Sequence, residues 1–182
     1  GEMRGQSIAI DDANDNAYIT GWYDGNITNV FQVAGQNLPN GGATSNAYFM
    51  EMGAGGLLTW PTQRFAEVNA NESAGLGVHY RNGAAYFCGT FNGSSIFFDN
   101  VNPLPYLGQN PSLQHTYVVG YDDNGNYLWS NGTMDNTGPE GFHASRAITT
   151  DNNGHSFVVG SYYGFMDYQL AGANPPLTAT FP

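Results

Sequence analysis

The chain has 182 residues, 14% of them aromatic and only 10% charged, with a formal net charge of −11 at pH 7. Its four basic residues are all arginines (Arg4, Arg64, Arg81 and Arg146), a poor match for a nucleic-acid backbone or an anionic membrane surface. A single cysteine, Cys88, excludes an internal disulfide, and no apolar run reaches the ~18–20 residues of a membrane-spanning helix.

The first element is "SIAID" (7–11), followed by an Asx-rich turn "DANDN" and a second strand "AYITGWY" (17–23). In that second strand Tyr18, Thr20 and Trp22 share one face, and Ile19, Gly21 and Tyr23 the other. A third strand "AYFMEMG" (47–53) and a fourth "LLTWPT" (57–62) follow. The series then restarts. "GLGVHY" (75–80), the turn "RNG" and "AYFCGTF" (85–91) match the first pair, and "TYVVGYD" (116–122) and "YLWSNG" (127–132) match the second. A third start is "SRAITT" (145–150), "DNNG" and "SFVVGSY" (156–162). The turn residues supply the positive φ and local carbonyl mimicry that tight hairpins need.

Several landmarks keep one step. Gly21 to Gly89 is 68 residues and Gly89 to Gly160 is 71, while Trp60 to Trp129 and Tyr48 to Tyr117 are each 69. No stretch carries helical periodicity. A four-stranded antiparallel unit repeated in tandem predicts an all-β chain of β-propeller blades, about two and a half in number, in an incomplete ring. The boundaries are about 5–66 for blade 1, about 74–134 for blade 2 and about 143–182 for a partial blade 3. The strand aromatics are expected to pack between sheets, with Tyr18, Tyr23, Tyr86, Phe91, Phe157 and Tyr162 at the contacts. Trp60 and Trp129 are expected to be equivalent and buried. Gly21, Gly89 and Gly160, mid-strand, predict close approach of a backbone or ring.

"IAIDDANDNAYITGWYDG" followed by "NAYFMEMGAGGLLTW" resembles the bacterial SBBP-type, or seven-bladed propeller, repeats. The second copy resembles them more loosely ("VHYRNGAAYFCG"), and two inserts are longer than the usual spacing. The resemblance implies a propeller segment of a large secreted or cell-surface protein, extracellular in location. It carries over no catalytic residue.

The chemistry-bearing residues form no familiar constellation. "DDANDN" and "DDNGNY" are rich in oxygen ligands, which makes Asp11, Asp12, Asp15, Asp122 and Asp123 candidates for weak calcium binding. The EF-hand pattern fails, because the sixth residue from Asp122 is Tyr127 and the twelfth is Thr133. Both clusters also stand where hairpin turns belong. His79, His115, His143 and His155 are scattered along the chain, without a zinc-binding spacing. There is no nucleophile elbow and no phosphate loop. Cys88, inside a strand, reads as a small buried hydrophobe. Trp22, Tyr163 and Phe165, near turns rich in Asn and Asp, are ligand-binding candidates that could stack on a glycan. Asn26, Asn71, Asn92 and Asn131 head Asn-x-Ser/Thr sequons, which matter only in a glycosylating secretory setting.

The third strand of the first copy starts 22 residues after Gly25, and the same offset from Gly164 falls past Pro182. The third copy is therefore expected to hold two strands, and its open edges to need other polypeptide. The expected function is a non-catalytic scaffold, adhesin or binding module of a larger secreted protein, without cofactor. The alternatives are a self-assembling subunit, completed by neighbouring chains, and a carbohydrate-binding or carbohydrate-active propeller.

Overall fold

A computed structural model of the chain describes residues 2–24, 32–33, 36–37, 44–60, 64–65, 67–99, 103–105, 112–134, 142–163 and 167–171. The described residues are all-β, with no helix. In chain order the strands are β1 (Met3–Asp11), β2 (Asn16–Asp24), β3 (Gln32–Val33), β4 (Gln36–Asn37), β5 (Ser45–Met52), β6 (Arg64–Phe65) and β7 (Glu67–Arg81). They continue with β8 (Ala84–Phe97), β9 (Pro103–Pro105), β10 (His115–Asp122), β11 (Tyr127–Met134), β12 (Phe142–Thr150), β13 (Ser156–Tyr163) and β14 (Asp167–Ala171).

Three antiparallel units follow one another. The first is β1-β2-β5 with β6 on its outer edge, the second is β7-β8-β10-β11, and the third is the hairpin β12-β13. A single parallel bridge, Ser45 to Glu72, joins the first two into one ten-stranded sheet. Strand β14 does not extend the third unit. It pairs with β11 and covers the outer edge of the second.

Each unit opens with the same irregular hairpin. The ladder slips by one residue between Gly5 and Ser7, between Gly75 and Gly77, and between Ser145 and Ala147. Each slip lies opposite a mid-strand glycine: Gly21, Gly89 and Gly160. At all three the carbonyl oxygen of the preceding strand (Arg4, Ala74, Ala144) occupies the place where a Cβ would stand. A bulge forces this approach and only glycine permits it. In the first two units a third-strand tyrosine closes the other side. The Tyr48 and Tyr117 phenols donate to the carbonyls of Arg4 (3.3 Å) and Ala74 (3.1 Å).

The core lies between units rather than inside one. Tyr18, Ala47, Phe49 and Trp60 of the first unit pack on Val78, Phe87, Tyr117, Val119 and Tyr121 of the second. Tyr86, Cys88 and Val118, on the opposite face of the second unit, pack on Ile148 and Val158 of the third. Trp60 and Trp129 share a contact, each packing on the second-strand tyrosine of its own unit, Tyr18 or Tyr86, at 6.0 Å, although Trp129 lies in β11 and Trp60 in no strand. Trp60 is buried, whereas Trp129 is half-buried; among the described residues the third unit has two strands to cover it.

Three expectations are corrected. The fourth strand expected at 57–62 is not formed in its described part, residues 57–60, where Leu58 makes one lone bridge to Met52; residues 61 and 62 lie outside the described residues, and the strand paired antiparallel with β5 on that side is Arg64–Phe65. Pro61 has no amide for a ladder, whereas "YLWSNG" lacks proline and is a full strand. Phe157 is exposed, and among the described residues no sheet covers that side of β13. Tyr23 lies on the outer side of the first unit, packed with Tyr48 and Met50, rather than between units.

Candidate functional site

The turn end of the first two units brings together the most concentrated polar chemistry among the described residues. Tyr18 belongs to the inter-unit core and Tyr80 stands one residue before the end of β7, and their rings stack at 4.6 Å with planes 8° apart. Three carboxylates surround the pair. The Tyr18 phenol reaches Glu51 Oε1 at 2.9 Å and Asp123 Oδ1 at 3.2 Å. The Tyr80 phenol is hydrogen-bonded to Asp123 and Asp11. Asn16 Nδ2 donates to Glu51 Oε1 at 2.7 Å.

Local structure places each member. Asp11 and Asn16 are directly paired at the mouth of the first hairpin, and Tyr18 pairs with Glu51 across β2 and β5. Asp123 stands on the β10–β11 turn, which folds back over Trp60: a Cβ on Gly125 would lie 3.0 Å from the indole ring. Burial, reinforced by the neighbouring carboxylates, raises the Tyr18 and Tyr80 phenols well above the ordinary tyrosine range. They therefore keep their protons and act as donors. The hydrogen bond from Asn14, outweighing burial, lowers the carboxyl of Asp11. The arrangement gathers three carboxylates around two phenols that stay protonated and donate to them.

The calcium candidates spend much of their oxygen capacity on their own turns. Asp11 accepts the Ala13 amide at 3.0 Å and Asn14 Nδ2 at 2.7 Å. Asp122 accepts the amides of Asn124 and Asn126 at 2.9 and 2.8 Å, and Asn126 Nδ2 at 3.0 Å. Asp151 holds its turn in the same way, through the Asn153 and His155 amides. Asp12 and Asp15 lie on the exposed first turn, and Asp15 adopts a φ of 55°. Among the described residues no three His, Cys, Asp or Glu side chains are gathered so as to hold a metal ion.

The aromatic candidates are not brought together. Trp22 is half-buried, with the Arg4 guanidinium 5.4 Å from its ring centroid, so one face is already occupied. Tyr163 ends β13, and its side chain and the whole of Phe165 lie outside the described residues. Sequence reading also missed a pair of buried histidines. His115 and His143 lie 28 residues apart in the chain, yet their rings meet edge-on at 5.9 Å where β10 of the second unit meets β12 of the third. Nδ1 of His143 is 3.1 Å from Thr133 Oγ1. Cys88 is buried and its thiol is pushed up to about 11 by desolvation, which keeps it protonated and poorly nucleophilic.

Searches against protein-family models, curated proteins and solved structures give no match for this chain.

Proposed function

We propose that the chain is a non-catalytic β-propeller repeat segment, acting as a scaffold or binding module of a secreted or cell-surface protein. The observation that carries this reading is the repeated hairpin. Bulge, glycine and intruding carbonyl recur three times, and two successive inter-unit cores use equivalent residues. Side-by-side packing of twisted antiparallel sheets is the geometry of propeller blades. The polar side chains fit a structural use. The turn aspartates close their own loops, the two phenols keep their protons, and the cysteine is buried and unreactive. Where the surface offers a ligand site, it is the acidic tyrosine seam around Glu51 and Asp123.

The test is an activity screen of the folded chain on polysaccharides, esters and peptides. No turnover, together with an unchanged far-ultraviolet spectrum, is the expected result. Turnover abolished by Glu51→Gln or Asp123→Asn, with folding retained, would replace this reading with a carbohydrate-active or other hydrolytic enzyme.

A further inference from the structure

Among the described residues the first and third units each leave one apolar face open, and the two faces are the two halves of a contact that the chain already makes twice. On the first unit the open residues are Ile8 and Ile10, 60% and 53% exposed. Counting from the bulge, their equivalents are Val78 and Tyr80 in the second unit and Ile148 and Thr150 in the third. Val78 and Ile148 are buried against the preceding unit, and Tyr80 stacks on Tyr18 of the preceding unit. On the third unit the open residues are Phe157 and Val159, 58% and 63% exposed. Counting from the mid-strand glycine, their equivalents are Tyr86 and Cys88, and before them Tyr18 and Thr20. All four of those are buried under the following unit.

The two internal contacts agree in detail. The residue before the bulge inserts beside the residue before the glycine. Gly75 lies so close to Thr20 of the first unit that its Cβ would collide with the Thr20 hydroxyl. Ser145 is hydrogen-bonded to Cys88 of the second unit, and its hydroxyl donates to the Gly89 carbonyl at 2.8 Å. One further step places Gly5 beside Val159 and the Gly160 carbonyl. First strands also meet. The Val78 amide donates to Ser7 Oγ at 3.3 Å, and the Thr150 amide donates to His79 Nδ1 at 3.1 Å.

We propose that a second copy of this chain occupies the open faces, head to tail, with Ile8 and Ile10 of one copy on Phe157 and Val159 of the next. The contact reproduces the step between successive units and is heterologous, so it closes a ring or extends a filament. It rests on the repeat reading but can fail without it, since both internal contacts lie within one chain. The copies each carry −11, so the contact strengthens as salt screens their repulsion.

Sedimentation of the full chain over a range of concentrations in 0.5 M salt tests the proposal. The wild type is expected to rise in mass with concentration. Ile8→Asp/Ile10→Asp and Phe157→Asp/Val159→Asp are each expected to stay monomeric alone. Mixed in equal amounts, they are expected to give a one-to-one dimer and nothing larger, because each retains the face that the other lacks. A wild type that stays monomeric, or a blocked variant that still self-associates, overturns the proposal. Circular dichroism checks that both variants are folded. A Gly5→Cys/Val159→Cys chain supplies a second readout. Oxidation is expected to give a ladder of cross-linked multimers, and monomer alone counts against the head-to-tail contact.

Discussion

The phenol of Tyr117 lies across Gly89, where a Cβ would stand, and donates to the Ala74 carbonyl at 3.1 Å. The Ala74 carbonyl itself crowds the same spot from the other side. A methyl group there has nowhere to go, because one obstacle is backbone and the other is a buried ring.

Gly89→Ala is therefore expected to destabilise the chain by about 3 kcal/mol or more, at the upper end of what overpacking a core costs. Gly21→Ala is expected to behave alike, since the Arg4 carbonyl and the Tyr48 phenol, 2.7 Å from the added Cβ, stand in the same places. Gly55 has open space around it, so Gly55→Ala is expected to fall within about 0.5 kcal/mol of wild type. Urea denaturation compares the three. A Gly89→Ala chain as stable as Gly55→Ala would mean that the hairpin is not built on the bulge described.

The two tryptophans give a graded pair. Trp60 is buried among Tyr18, Phe87 and Tyr121, whereas Trp129 keeps part of its ring in solvent against Tyr86. Trp60→Ala is expected to cost about 3–5 kcal/mol, the usual loss for a large core aromatic. Trp129→Ala is expected to cost clearly less, on the order of half. Equal losses would show that Trp129 is covered more fully than the described strands β12 and β13 cover it.

Much of this architecture was legible because strands alternate and the repeat keeps its step. Gly21, Gly89 and Gly160 marked the hairpins and the close approach there, whereas Tyr48 and Tyr117 served only as landmarks of the step and their crossing phenols were not read. The fourth strand of the first unit was misplaced because "LLTW" alternates well enough, although the proline that follows it in the sequence has no amide to donate to a ladder. The polar seam was harder to read. Tyr80 takes the place held by Ile10 and Thr150 in the other units, so the repeat gives no warning of a second phenol there. Nothing local to Glu51 announces that Asn16, 35 residues earlier, is its donor. The His115–His143 contact is likewise a product of how the second and third units dock.

The seam itself is testable through Tyr18. Its hydroxyl is shared between Glu51 and Asp123, and Glu51 is buried. Tyr18→Phe keeps the stacked ring and removes the donor. It is expected to cost about 1–3 kcal/mol, the range for leaving a buried acceptor short of a partner. Thermal unfolding measures the loss. An unchanged stability would mean that the two carboxylates are satisfied without the phenol.

His79 sets a direction for pH dependence. Burial, helped by Arg81, lowers its pKa below the ordinary histidine value of 6.5, and its Nδ1 accepts the Thr150 amide from the third unit. The unfolded chain therefore binds the proton more readily than the folded one below about pH 6.5. The contribution of His79 is fully present above that value and declines as the pH falls toward the folded pKa. His79→Asn keeps an acceptor at that place without titrating. The fall in urea midpoint between pH 7.5 and pH 5 is expected to be smaller in His79→Asn than in wild type. An equal or larger fall in the variant would place the acid sensitivity elsewhere.

Cys88 reports on the same contact by its reactivity. Its side chain lies under the third unit, clustered with Ile148 and hydrogen-bonded to Ser145. With the thiol pushed up to about 11, only about one part in a thousand is ionised at pH 8. Alkylation by iodoacetamide at pH 8 is therefore expected to be very slow in the folded chain and complete within minutes in guanidinium. Ile148→Ala weakens the lid without touching the sulfur, and local opening then exposes the thiol more often. The variant is expected to be alkylated at least tenfold faster in native buffer, while its rate in guanidinium stays that of wild type. A native rate unchanged by Ile148→Ala would show that the third unit is not what shields Cys88, and that the docking of β12 on β8 is not as described.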